Sequence, residues 1–421
     1  MKEDWKFVKF SSLGEVNRGR SRHRPRDDKQ LYGGVYPFIQ TGDIKASNGR
    51  VTSYSQTYSE KGLSQSRMWP KNTLVITIAA NIAETAILSF PACFPDSVVG
   101  FIPDDTKCNV FFIEYYFRYL KSNIQREFAG SGSVQDNINL QFLNGLELRI
   151  PSIQTQNSIA STLGFLDDKI DLNRRTNETL EAMARALFRD WFVDFGPTRA
   201  KMAGEAPYLT PELWELFPDR LDDEEKPEGW HNSLVGRQFD VTMGQSPPGD
   251  TYNSSGIGIP FYQGKTDFGA VFPQRRMYCT APTRFANTLD SLVSVRAPVG
   301  SVNFSEEKCC IGRGLASVRH PQNLPYYTYF TMKFLRDAFS SFENNGTVFG
   351  AINKKQFEEL FVIESGLEKI FERQVRAACS KIVANETESR TLAQLRDLLL
   401  PKLMSGEISI RDAEKMVEDA A

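Results

Sequence analysis

Histidine is scarce in this chain: among 421 residues only His23, His231 and His320 occur, widely separated, which argues against a histidine-built catalytic or metal cluster. Six cysteines occur without a single Cys-x-x-Cys spacing, and only Cys309 and Cys310 are adjacent. Neither a zinc site nor a disulfide framework is indicated, and the reduced cytosol suits such usage. No run approaches the roughly 20 apolar residues of a membrane span. The opening Met1-Lys2-Glu3-Asp4-Trp5 lacks the apolar core of a secretion signal, so a cytoplasmic protein is expected.

Sites for nucleotides and metals are hard to find as well. Gly264-Lys265-Thr266 has the close of a phosphate loop, but the upstream Gly258 is one residue too far away, and Pro260, Phe261 and Tyr262 remove an N–H and crowd the loop. Asp219, Glu224, Glu225 and Lys226 have the composition of a magnesium-holding nuclease cluster. They lie in an acidic stretch with no strand periodicity, so a solvated segment is the better reading. Ser246-Pro247-Pro248-Gly249 lacks the leading Asn or Asp and the closing aromatic with which amino-methyltransferases grip a flipped base. A Gly-rich strand-to-helix turn for S-adenosylmethionine is missing too. The chain reads as non-catalytic.

What is present begins with charge placement. The net charge is −2, yet residues 203–228 hold nine acidic side chains against Arg220 and Lys226, a local −7 that leaves the remainder at +5. Arg18, Arg20, Arg22, Arg24 and Arg26 stand at alternate positions. In an extended segment all five would project to one side.

The strongest feature is a duplication. Gly132-Ser133-Val134-Gln135-Asp136-Asn137-Ile138-Asn139 returns as Gly346-Thr347-Val348-Phe349-Gly350-Ala351-Ile352-Asn353, 214 residues on. Lys169-Ile170 and Asn173 return as Lys381-Ile382 and Asn385, and Pro37-Phe38-Ile39-Gln40 matches Pro260-Phe261-Tyr262-Gln263. A unit this long is a whole domain with its connector, unlike the short repeats of a solenoid. Two similar, non-identical modules suggest one task performed on two similar, non-identical targets.

Each repeat opens with short strands, such as Leu74–Ile78 and Leu292–Val295, continues with an aromatic helix around 111–121 or 326–338, and closes on a long helix introduced by Pro151 or by Ser365-Gly366. The fold class expected is therefore α+β. In the closing helices Leu163, Leu166, Ile170, Asn173, Leu180 and Leu187 follow a heptad seam, and Val375, Ile382, Asn385, Leu392 and Leu399 keep the same register. Asn173 and Asn385 are polar residues within that seam, where an amide fixes register at some cost in stability. The alternative is two unrelated amphipathic helices packed on their own domains. Leu163 to Trp191 spans roughly 42 Å of helix. The predicted organisation is a first domain over 1–150, a central helix over 151–195, an acidic linker over 196–228, a second domain over 229–364, a distal helix over 365–404 and a tail over 405–421.

The helices and their flanks carry a family resemblance. Ile150-Pro151, Gln154-Thr155-Gln156-Asn157-Ser158-Ile159-Ala160, Asp167-Asp168-Lys169-Ile170 and Phe188-Arg189-Asp190-Trp191-Phe192-Val193-Asp194-Phe195 resemble the central region of specificity subunits of type I restriction-modification systems. Leu398-Leu399-Leu400-Pro401-Lys402-Leu403-Met404-Ser405-Gly406-Glu407-Ile408 resembles the end of their distal region. The resemblance implies two target-recognition domains, each reading half of a bipartite, asymmetric DNA sequence, joined by two long antiparallel helices in a pseudo-twofold coiled coil. It also implies assembly with two adenine-methylating modification subunits and with motor-nuclease restriction subunits. Those partners, not this chain, would hold S-adenosylmethionine, ATP and magnesium. The acidic segment departs from a simple duplication, because nothing corresponds to it after the second helix.

Candidate DNA contacts are the Arg18–Arg26 series, by virtue of bidentate pairing with phosphate or guanine, with a solvated loop as the alternative. Gln40, Thr41, Asp43 and Lys45 follow the first Pro-Phe-x-Gln element, and Gln263, Lys265 and Thr266 follow the second, so both modules place amides and cations on an equivalent turn. Phe38 and Tyr262 in those elements are expected in the core. Ser133 and Thr347 sit in loops suited either to phosphate binding or to plain helix capping. Arg296 and Arg313 are added without a supporting pattern. Two functions of other classes stay open at this point: a self-sufficient DNA methyltransferase or nuclease with duplicated recognition domains, and an adaptor whose helices bind protein only.

Overall fold

Leu74–Thr77 is buried at every position, as a continuous apolar run between turn signals requires of a strand flanked and covered on all sides. In the computed structural model, which describes residues 5–79, 81–129, 137–340 and 350–419, this strand lies third from one edge of an antiparallel array. The order is Gly14–Arg18, Val98–Pro103, Leu74–Thr77, Thr85–Leu88, and a fifth strand, Arg50–Val51, runs parallel to Thr85–Leu88 at the edge. In the second repeat Asp240–Met243, Leu315–Arg319, Ser291–Ser294 and Val302–Phe304 lie side by side in the same order and sense. Each repeat also ties its ends together with a two-stranded ribbon, Lys6–Lys9 against Glu147–Ile150 and His231–Leu234 against Phe361–Glu364. The duplication is thus one topology used twice.

The chain divides into two compact units, residues 1–171 with 389–421 and residues 172–388. Both dividing points fall within the long helices, Ile153–Phe192 of 40 residues and Glu368–Ser405 of 38. In unit 1 the aromatic helix Val110–Ala129 sends Phe112, Ile113 and Phe117 onto Leu74, Ile76 and Phe101. In unit 2 the helix Pro325–Phe334, followed by Arg336–Ser340, packs Tyr326, Tyr329 and Phe330 with Val293, Phe304 and Ala316. Both aromatic helices are fastened at their start by the long helix that follows them in sequence. Gln156 Oε1 accepts from Asn109 N at 3.0 Å, and Glu372 Oε2 accepts from Tyr326 N at 3.0 Å and Tyr327 N at 2.9 Å.

The seam residues divide between the units. In unit 1 Leu163 and Leu166 are buried in one cluster with Leu392 and Leu399, with Ile170 at its margin. In unit 2 Val375 and Ile382 are buried, and Leu180 and Leu187 pack at the edge of the same core. Asn173 Nδ2 donates to Glu388 Oε2 at 2.7 Å and to Asn385 O at 3.4 Å, while Asn177 Nδ2 donates to Ile382 O at 3.3 Å. Partner numbers fall along one helix as they rise along the other, so the helix segments of unit 2 run antiparallel. Asn385 Nδ2 donates to Asn177 Oδ1 at 2.9 Å. The two seam amides therefore do not pair side chain to side chain, and each engages a third residue.

Asn385→Leu is expected to lower stability by about 1–3 kcal/mol by stranding the buried Asn177 oxygen. Adding Asn177→Leu should recover part of that loss, giving a coupling of roughly 0.5–3 kcal/mol in a urea-unfolding cycle. Additive effects of the two changes would place the amides in separate environments.

The acidic stretch is folded onto unit 2, in contrast to the linker expected from its charge. It forms the helices Gly196–Met202 and Pro211–Trp214, and Trp214 and Phe217 are buried. Phe217 meets the Trp191 ring edge-on at 5.1 Å, and Lys201 Nζ donates to Phe217 O at 2.6 Å and to Asp219 Oδ1 at 2.9 Å. The aromatic residues fix the segment while its carboxylates stay at the surface, a division that net charge alone does not reveal.

Candidate nucleic-acid interface

The Pro-Phe-x-Gln elements end strands and open short turns. In unit 1 the strand Tyr32–Phe38 leads through buried Ile39 to Gln40 and the helix Thr41–Ala46. Asp43 Oδ2 accepts from Gln40 N at 2.8 Å and its Oδ1 from Ser55 Oγ at 3.1 Å, which holds the turn shut. The Asp43 carboxylate is thereby engaged locally, whereas Gln40 keeps an exposed amide that donates to Gln56 Oε1 at 2.7 Å. Lys45 Nζ reaches Asn81 Oδ1 at 3.2 Å, and Thr41 is half-buried.

Unit 2 repeats the device with other residues. The strand Ile259–Tyr262 gives way to Gln263, Gly264 and the turn Lys265–Asp267. Buried Asp267 accepts from Gln263 N at 2.7 Å and Gly264 N at 3.4 Å, doing for this turn what Asp43 does for the other. Asp267 escaped the sequence reading, although an aspartate shortly after each Gln was visible there. Gln263, Lys265 and Thr266 are exposed. They line one groove with Arg296, Pro298 and Gly314, so an arginine chosen without a pattern joins the turn. Arg313 lies between Gly312 and Gly314 on the loop beneath it. Gly312 N donates to Tyr262 O at 2.8 Å, and a Cβ on Gly314 would come within 2.3 Å of Gln263 O. Only glycine permits that approach.

The two units differ most around these turns. In unit 1 Tyr32–Phe38 pairs with the strand Gln56–Tyr58 and touches Cys93 through a single parallel bridge at Phe38, whereas Ile259–Tyr262 sits inside a five-stranded sheet with Tyr252–Asn253, Tyr278–Cys279, Cys309–Ile311 and Phe285–Ala286. Phe38 and Tyr262 are both buried, and burial pushes the Tyr262 phenol up. Common scaffolding thus carries dissimilar exposed residues, as modules for two different targets require.

The arginine series is not the one-sided row that alternation predicted. Only Arg18 belongs to a strand, and residues 19–28 form a loop pinned by Gly19 N to Val98 O at 2.9 Å and by Arg20 N to Phe94 O at 3.1 Å. All five arginines are exposed. Arg26 grips both oxygens of Asp96 at 2.9 Å, and Arg24 Nη1 donates to Ser21 O and His23 O at 2.8 Å. Arg18, Arg20 and Arg22 have no side-chain hydrogen bond or ion pair among the described residues. Arg26, Lys29, Tyr32, Gln40 and Gln56 line a groove of unit 1, which joins one end of the series to the turn at Gln40. Lys29 and Gln56 were not anticipated, since nothing in their sequence spacing sets them apart.

Ser133 and Thr347 lie outside the described residues. What is described of the repeated motif is structural: Ile138 and Ile352 are buried, and Asn139 and Asn353 cap the helices Leu140–Gly145 and Lys354–Glu358 through Phe142 N at 2.7 Å and Gln356 N at 3.0 Å.

Behind the unit 1 turn stands a buried ionic group. Arg118 donates to Glu114 Oε1 at 2.7 Å, to Asp167 Oδ2 at 3.2 Å and to Asn48 O at 3.1 Å, two residues beyond the end of the helix Thr41–Ala46. Gly49, at φ +91°, lies too close to the guanidinium for any side chain. Burial pushes the Glu114 carboxyl up against the pull of Arg118. Asp167 also accepts from Tyr115 Oη and Arg396 Nη1, both at 2.7 Å, and Asp168 pairs with Arg50. The start of the long helix, the aromatic helix and the turn after Ala46 are thus fixed together within unit 1.

Residues 2–182 match the family described as the Type I restriction modification DNA specificity domain. Along nearly the whole chain there is similarity to a putative type I restriction enzyme MjaX specificity subunit of Methanocaldococcus jannaschii, 26% identical with 97% of this chain and 95% of that protein covered. The type I restriction enzyme HindI specificity subunit of Haemophilus influenzae is likewise 26% identical, with 96% of this chain and all of that protein covered. The crystal structure of a type I restriction-modification S subunit from M. genitalium shares the fold, with a TM-score of 0.59 at 17% identity and 96% of each chain covered. With the duplicated topology and long helices described above, the chain is similar along nearly its whole length to type I restriction-modification specificity subunits, and its first 182 residues match their DNA specificity domain.

Proposed function

We propose that this chain is the DNA-reading component of a type I restriction-modification complex, each repeat reading one half of a bipartite, asymmetric duplex site. The observation that carries the reading is the pair of aspartate-closed turns, Gln40–Lys45 and Gln263–Asp267, which present exposed amides and cations in two different versions on one scaffold. Glutamine can grip adenine and a cation can grip guanine or phosphate. The finer proposal is assembly in the cytoplasm with two adenine-methylating modification subunits and with restriction subunits, which supply S-adenosylmethionine, ATP and magnesium. Among the described residues no helix is long and apolar enough to cross a membrane. Sequencing of methylated adenines in cells with and without the chain tests the whole reading: a bipartite motif should vanish when the chain is absent, and an unchanged methylome would overturn it.

The purified chain alone is expected to transfer no methyl group and cut no DNA. Asp219 and Glu224 form surface ion pairs with Lys201 and Lys226 at 2.9 and 2.7 Å. Alanine at Asp219, Glu224 and Lys226 together should leave restriction by the assembled complex intact. Loss of cutting with assembly unchanged would restore the nuclease reading, as methyl transfer by the partner-free chain would restore the methyltransferase one.

A further inference from the structure

We infer that unit 2 carries a phosphate-tracking groove, continuous with its reading turn, that holds a DNA backbone beside the half-site. The inference rests on the DNA-reading function proposed above and adds the long helix to the DNA-contacting surface. Arg185 of the helix Ile153–Phe192, Lys265 of the reading turn, Lys333 of the helix Pro325–Phe334 and Arg336 of the helix Arg336–Ser340 line one groove together with Ser301 and Asp337. Lys333 is paired with Glu181 and lies 4.7 Å from the Tyr329 ring centre. Arg185, Lys265 and Arg336 have no side-chain hydrogen bond or ion pair among the described residues. Against four cations stand Asp337 and Glu181, a formal excess of two positive charges among the described residues of the groove.

Convergent, unneutralised cations repel one another and draw a polyanion. Guanidinium groups bind phosphodiester oxygens bidentately. A single small anion would not need cations drawn at once from the long helix, the turn and the helices Pro325–Phe334 and Arg336–Ser340. Lys265 also lines the neighbouring groove of Gln263, Thr266 and Arg296. A strand whose bases meet Gln263 can therefore continue past Lys265 toward Arg336 and Arg185. One cation of the groove is not repeated: 212 residues after Arg185 the second copy of the sequence has Asp397, which pairs with Arg396 at 2.8 Å.

The test is a salt titration of binding by the full chain, alone and with its modification partner, to a duplex carrying the target and to one lacking it. For Arg185→Gln with Arg336→Gln, affinity for both duplexes should fall by the same factor, and the slope of log affinity against log salt should become shallower by about 1 for each charge removed. Arg185→Lys with Arg336→Lys should keep the wild-type slope, which separates lost charge from lost folding. An unchanged slope in the Gln variant, or a loss confined to the target duplex, overturns the inference. Displacement of DNA from the wild-type chain by inorganic phosphate but not by chloride at equal ionic strength overturns it too, by making this a small-anion site. A wild-type chain that retains neither duplex at low salt removes the DNA-reading function itself, and the groove's role with it.

Discussion

Alanine at Asp167 should destabilise unit 1 more than any other single change considered for the buried ionic group, by about 3 kcal/mol. Asp167 is only 8% exposed and accepts from Tyr115, Arg118 and Arg396. Removing one partner of a buried ionic set leaves charge stranded in a medium that solvates it poorly, at about 3–5 kcal/mol. The lower end is appropriate because Arg118 keeps Glu114 and Arg396 keeps Asp397. Thermal unfolding should move down by roughly 6–12 °C for a unit of this size. Arg396→Ala alone should also destabilise, but the double variant should lose less than the sum of the singles, since each change removes a partner the other needs. If Asp167→Ala lowers stability by under about 1 kcal/mol, water reaches the site and the group behaves as a surface ion pair.

That group also marks the limit of what the sequence discloses. Local signals were legible because their causes are local. The buried run at Leu74 is a strand, the heptad positions are buried or at a core margin, and Pro151 and Ser365-Gly366 precede helices that begin at Ile153 and Glu368. Asp167, by contrast, falls on the first helix beside seam position Leu166, and its partners come from positions 115, 118 and 396, so no periodicity could announce it. The arginine series failed for a related reason. Alternation places side chains on one face only if the chain is extended, and hydrogen bonds from residues 19 and 20 to residues 98 and 94 fold it into a loop instead. The acidic stretch shows the converse error, since its many carboxylates outweighed the spacing of Trp214 and Phe217 that buries it. The two candidate turns were legible through the duplication, whereas Asp267, and the closing role of Asp43, show only in the hydrogen bonds they accept.

Changes at the two reading turns should affect different halves of the DNA target. Gln40 and Lys45 stand on a helix held by Asp43, and behind them Arg118 holds Asn48, all within unit 1. Gln263, Lys265, Thr266 and Arg296 share a groove whose floor is Gly314, all within unit 2. Each turn is built on its own sheet, so a substitution at one leaves the supports of the other untouched. Gln40→Ala should weaken or abolish reading of one half-site and Gln263→Ala the other, each by about 1–3 kcal/mol, or roughly 5- to 150-fold in affinity, for a lost base-edge contact. Gly314→Ala adds a sharper case, because its new methyl group would meet the Gln263 carbonyl and displace the turn without removing any contacting side chain. It should impair the same half-site as Gln263→Ala and leave the Gln40 half intact. Asp43→Ala should resemble Gln40→Ala in the half affected, through a loosened turn and not a lost base contact, since both its oxygens are engaged within the protein. Methylome sequencing of cells carrying each variant reads the outcome directly. Should Gln40 and Gln263 variants alter the same half of the target, or Gly314→Ala alter the half read by Gln40, the two repeats do not read DNA independently.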